Sequence, residues 1–230
     1  MMGIVGVDMK IKINRRPVVS LGVTYPNYEV DFYTSDVYSK CFKDEDRALK
    51  PIRKRGGYPS FNFRHMGKSY HLHHQHKLLA ETFPDLLSKS PLVSHYGLQI
   101  GKDQHELKTP MGFTFICNMV CPDHIDNNKD NNSYKNLMIT TQSENILKCG
   151  PFEGRKYKGI HKTLCGKYRV SISWRNILYE NGKPFRTSKN FETEEEAALA
   201  YNTVLKESLL TVWGSDLGPK MYDLAYKNTI

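Results

Sequence analysis

The chain has 230 residues, 39% of them hydrophobic, with a net charge of +9, a pI near 9.2 and a mean hydropathy of −0.56. That is enough length for one large or two to three small domains. No apolar run is long enough to span a bilayer and no secretory apolar segment opens the chain, so membrane insertion and export are excluded as expectations; the basic balance points to a polyanion, most simply nucleic acid. Five cysteines make an odd count, which suits free thiols in a reducing, cytoplasmic setting.

Charge is uneven along the chain. Residues 1–83 carry 14 basic and 8 acidic groups, residues 84–150 carry 6 and 7, and residues 151–230 carry 13 and 9. Two basic ends therefore flank a nearly neutral middle, and three segments with those bounds are expected.

Segment 1–83 reads as β-rich. Lys10–Ile13 and Ser60–Arg64 alternate, Met66-Gly67 suits a hairpin turn, and Ser69–His74 returns as a second strand. A short helix fits Lys77–Phe83, ended by Pro84. The run Arg53-Lys54-Arg55 is either a solvated loop or a grip on phosphates. His71 and His73 share a strand face, which reads either as a metal pair or as packing and phosphate contact.

In segment 84–150, an irregular stretch leads to a strand expected over Phe113–Val120. Asp123 and His124 follow at its end. Asp126–Ser133 is a polar loop, Leu137–Ile139 a second strand, and Thr141 with Glu144 a capping box that opens a helix to about Cys149. Strand, loop, strand, helix is a ββα order. It brings an Asp-His pair, Asn136 and Asn145 to spacings that suit one divalent metal and one general base acting on a phosphodiester. Cys117, Cys121 and Cys149 lack the CxxC spacing of a structural zinc site.

Segment 151–230 alternates cleanly. Tyr168, Val170, Ile172 and Trp174 fall on one face, and Lys167, Arg169, Ser171, Ser173 and Arg175 on the other. Phe185–Phe191 continues more weakly, with Arg186 on the polar side. A second capping box, Thr193 with Glu196, opens a helix whose stripe of Ala197, Tyr201, Val204 and Leu205 suits packing on the aromatic face. The uncovered basic face is either solvated or laid on DNA.

At Asp123-His124-Ile125-Asp126, Asn131-Asn132, Asn136-Leu137 and Thr141–Asn145 the chain resembles HNH homing endonucleases of phages and mobile introns. His76–Phe83 is similar to the His-x-Leu-x-Ala-x-x-Phe element that precedes the site in many of them. Tyr157–Ile160, Lys167–Ile172, Phe191–Ala198 and Ala200–Asn202 resemble the plant APETALA/ethylene-response DNA-binding domain. The resemblance implies an α+β protein. Its ββα-metal (HNH, His-Me finger) core would lie between a β-rich N-terminal module and a C-terminal three-stranded sheet with a helix.

It also implies a phage-encoded endonuclease acting on double-stranded DNA in a bacterial host; the single Asp-His, Asn, Asn set between two unlike basic segments suits a monomer. In it His124 is the base, Asn136 tethers the loop and orients His124, and Asp123 and Asn145 bind one Mg²⁺ or Mn²⁺. Arg53, Lys54, Arg55, Lys158, Lys167, Arg169, Ser171, Arg175 and Arg186 are the expected DNA contacts. A non-catalytic DNA-binding regulator with a decayed HNH fold, or a restriction or host-attack nuclease, are the alternatives.

Overall fold

The computed structural model describes residues 14–41, 47–53, 57–101 and 104–230, without the side chains of 65 and 70–72. The strand expected at Lys10–Ile13 lies outside these residues, as do Lys54, Arg55 and the His71 side chain. The protein is mixed α+β and divides into two compact units, 1–89 with 121–139, and 90–120 with 140–230. The middle segment of the sequence is thus shared between them.

In the first unit, β1 (Arg15–Ser20), β2 (Val23–Asp31), β3 (Val37–Ser39) and β4 (Arg47–Ala48) form an antiparallel sheet in that order. Strands β5 (Ser60–His65) and β6 (Lys68–His74) form the expected hairpin. Its turn residues Met66 and Gly67 both have positive φ, 48° and 74°, as a tight two-residue hairpin requires. Helix α1 (Gln75–Thr82) follows directly and buries Leu78, Leu79 and Ala80. It packs on β1, where Thr82 Oγ1 accepts from Val19 N at 3.0 Å. Tyr25, Tyr28 and Phe63 pack ring to ring at 4.6–5.3 Å in the core. Strand β7 (Ser88–Lys89) pairs in parallel with β11 (Leu137–Thr141), which also pairs with β10 (Val120–His124).

The second unit is built on β13 (Tyr168–Leu178). One edge carries β14 (Pro184–Phe191) along most of its length. The other carries β12 (Ile160–Lys162) at one end and β9 (Thr114–Cys117) at the other, with β8 (His105–Lys108) beyond β9. The strand expected over Phe113–Val120 is therefore divided: β9 stops at Cys117 and β10 starts at Val120. The C-terminal sheet gains two strands from the middle segment. Short helices α2 (Pro91–Tyr96) and α3 (Gln142–Lys148) complete the unit with α4 (Glu194–Leu224), which breaks at Gly214, φ 72°.

The alternation read in the sequence holds. Val170 and Ile172 are buried beneath α4, which turns Ala197, Tyr201, Val204 and Leu205 inward, while Arg169, Arg175 and Arg186 are exposed. Both capping boxes form as expected.

Candidate active site

Strand β10 has the burial pattern of an alternating strand. Val120, Pro122 and His124 are buried, while Cys121 and Asp123 are half-buried on the other side. His124 ends the strand with 4% of its surface exposed. Its Nε2 lies 2.9 Å from Asn132 Oδ1. Tyr58 stacks on its ring at 6.0 Å and 15°, and His76 meets it edge-on at 5.1 Å. Burial pulls the His76 pKa down to about 3, helped by the like charges of His124, His74 and Lys77, so His76 is neutral at physiological pH.

The loop after His124 is closed by its own polar side chains. Asn136 Oδ1 accepts from Asp126 N at 3.0 Å. Asn136 Nδ2 donates to Asp126 Oδ1 and to Asn131 O, both at 2.8 Å. Asp126 Oδ1 also accepts from Asn128 N at 2.7 Å, an Asx-turn. Hydrogen bonds from Asn131, then Asn128 and Asn136, hold the Asp126 carboxyl below its usual range. Asn136 thus ties the loop, and the bond to His124 comes from Asn132. That residue stands four positions earlier, and no spacing singled it out for this contact.

Asn145 sits in the second unit, on α3. Its side chain is half-buried, and its Oδ1 accepts from Cys149 Sγ at 3.9 Å. The N-terminus of α3 is fixed by Glu144, which is fully buried. Glu144 accepts from Thr141 N and Oγ1, Thr140 Oγ1, Ser90 Oγ and Leu92 N at 2.5–3.3 Å. The C-terminus of α3 is closed by Lys158, whose Nζ donates to Ile146 O, Leu147 O and Cys149 O at 2.6–3.0 Å. Burial lowers the Lys158 pKa to about 8. An ammonium has three protons to donate, so this arrangement leaves Lys158 none for a phosphate.

Among the other expected DNA contacts, Arg53 is exposed and pairs with Asp130 at 2.6 Å. Lys167 pairs with Glu192 at 2.5 Å, and Arg169 Nε donates to Asn190 Oδ1 at 3.0 Å. Ser171 lies opposite Ser188 and Arg186 opposite Ser173 on the sheet. Among the described residues, no group of three or more His, Cys, Asp or Glu side chains is placed to hold a metal ion, and no helix is long and apolar enough to cross a membrane.

No protein-family model and no solved structure matches the chain. A curated protein does: over 134 residues the chain is 31% identical to a protein of Acanthamoeba polyphaga mimivirus named an uncharacterised HNH endonuclease. That alignment covers 53% of this chain and 67% of that protein. With the Asp-His pair, the Asn-closed loop and the capped helix in the order those enzymes use, the chain belongs to the HNH endonuclease family.

Proposed function

We propose that the protein is a metal-dependent DNA endonuclease of the homing type, with His124 as general base. The observation that carries this reading is the buried His124 imidazole, held through Nε2 by Asn132 at the end of the strand that also carries Asp123. Phosphodiester hydrolysis needs a base for the attacking water and positive charge near the phosphate oxygens. An imidazole nitrogen can take the proton of the attacking water, and a clamped ring is already oriented.

The proposed ligand types are the Asp123 carboxylate and the Asn145 amide oxygen, each on a half-buried side chain, and oxygen donors of this kind suit a hard divalent ion such as Mg²⁺ or Mn²⁺. Such an ion, when bound, supplies Lewis-acid polarisation of the phosphate and its leaving oxygen. Asn136 keeps the loop closed around Asp126.

Double-stranded DNA is the proposed partner. Arg169, Arg175 and Arg186, with Lys167 and Ser171, present a basic, hydroxyl-bearing sheet face on the side away from α4. Arg53 adds a cation in the first unit. One Asp-His-Asn-Asn set suits a monomer that nicks one strand.

Nicking of supercoiled plasmid in Mg²⁺ or Mn²⁺ tests the reading. The wild type should nick, and His124→Ala should cut about 10²–10⁴-fold more slowly while binding DNA as before. Cleavage by His124→Ala at the wild-type rate would remove the base assignment.

A further inference from the structure

Ser35, Gln75, Asn132 and His124 form one hydrogen-bonded chain, and its direction is fixed from the far end. The backbone carbonyl of Ser35 can only accept, and Gln75 Nε2 donates to it at 2.7 Å. That turns Gln75 Oε1 the other way, where it accepts from Asn132 Nδ2 at 3.2 Å. Asn132 must then present Oδ1 to His124 Nε2, at 2.9 Å. An amide oxygen has no proton to give, so the imidazole supplies it from Nε2, and the lone pair of the neutral ring sits on Nδ1.

We propose that Gln75 and Asn132 are positioning residues that hold His124 in its Nε2–H tautomer, with Nδ1 as the basic nitrogen; this rests on reading His124 as the general base.

The anchor is built for the purpose. Ser35 has φ 62° and is 2% exposed. A residue with a Cβ is disfavoured in this left-handed region, so the surroundings must hold it. They do: Asp31 O accepts from Ser35 N at 2.9 Å, and Asp31 Oδ1 accepts from Tyr33 N and Thr34 N at 2.9 and 3.0 Å. Ser35 also uses its hydroxyl, donating to Asn132 O at 2.5 Å. Both polar ends of Ser35 therefore serve the chain that ends on His124. The rings of Tyr58 and His76 confine the imidazole plane. With a pKa of about 3, His76 adds no charge beside the base. Gln75 is the first residue of α1 and Ser35 lies in the turn between β2 and β3, so the N-terminal strands and the motif share one polar network.

The test is the imidazole ¹⁵N–¹H correlation spectrum of the ¹⁵N-labelled full chain, with His124 assigned by its loss in His124→Ala, run beside steady-state plasmid nicking. The wild type should show His124 as the Nε2–H tautomer. Gln75→Leu and Asn132→Leu should mix the tautomers and lower kcat by roughly 10–100-fold with KM for DNA unchanged, the scale of losing a second partner behind an active-site histidine. Asn132→Asp, whose carboxylate only accepts, should keep the tautomer and most of kcat. Should the buried Asn132→Leu fail to fold, the half-buried Gln75→Leu decides alone. An Nδ1–H tautomer in the wild type, or unchanged tautomer and kcat in Gln75→Leu, overturns the proposal. The expected tautomers in a wild type that cuts no DNA would support tautomer selection and sink the nuclease reading instead.

Discussion

Asn136 grips Asp126 at two points: its Oδ1 takes the Asp126 backbone N–H at 3.0 Å, and its Nδ2 donates to the Asp126 carboxylate at 2.8 Å. A third bond, from Nδ2 to Asn131 O, closes the loop that follows His124. Asn136 is buried, so its loss leaves polar groups without partners. Asn136→Ala should cost about 1–3 kcal/mol of stability in the first unit.

The same loop gives a pH test. The Asp126 carboxyl is held below its usual pKa by donors that include Asn136. A depressed carboxylate adds stability that is present above its unfolded pKa, near 4, and is lost as pH falls through the folded value. The Tm gap between wild type and Asn136→Ala should therefore narrow on acidification below pH 4. A gap that widens in acid would show that Asn136 does not favour the ionised carboxylate.

Lys158 carries the opposite sign. Its folded pKa is lowered to about 8 by burial against the end of α3. Between pH 8 and its unfolded value near 10.4, the unfolded chain binds the extra proton, so this group makes stability rise with pH. Lys158→Met lacks that dependence and also removes the ammonium donor from Ile146 O, Leu147 O and Cys149 O at the end of α3. Wild type should gain stability relative to Lys158→Met between pH 8 and 10.5 in denaturant titrations. A constant difference across that window would mean that Lys158 titrates as an exposed lysine.

Glu144 separates what the sequence discloses from what it hides. Thr141 followed three residues later by Glu144 is a local signal, and the cap forms as read because only neighbouring backbone is needed. The bonds from Ser90 Oγ and Leu92 N come from 54 and 52 residues away, and no periodicity reports them. His124 and Asn136 are legible for the same local reason, through motif spacing. Gln75 and Ser35 are not, because only the fold brings them to Asn132. The alternation of Tyr168–Trp174 shows the sheet face at sight. That β9 would leave the middle segment to pair with Ile177 and Leu178 depends on long-range pairing that alternation cannot specify.

Glu144→Gln should be costly for the second unit. The amide NH₂ would meet donors where an oxygen now accepts, leaving N–H groups of α2 and α3 unmatched in a fully buried place. A loss of about 2–4 kcal/mol is expected, typical of breaking a buried charge-assisted network. Hydrogen exchange at α3 amides would report it, and unchanged protection would show that the carboxylate is dispensable.

The sheet face yields the last prediction. Because β9 pairs with β13 and the Phe115 ring meets Trp213 at 5.3 Å, ending the chain at residue 150 should unfold what remains of the second unit. Deletion therefore cannot isolate the role of the face, and point changes must. Arg169, Arg175 and Arg186 are exposed on the side of the sheet opposite α4, so replacing each with Gln should leave the unfolding free energy within about 0.5 kcal/mol of wild type. Each phosphate contact removed should flatten the slope of log K against log salt by about one. Arg186→Gln and Arg175→Gln make the cleaner pair, since Arg169 also holds Asn190. Salt titrations with unchanged slope and affinity in all three variants would take DNA off this face, whatever the nuclease site does.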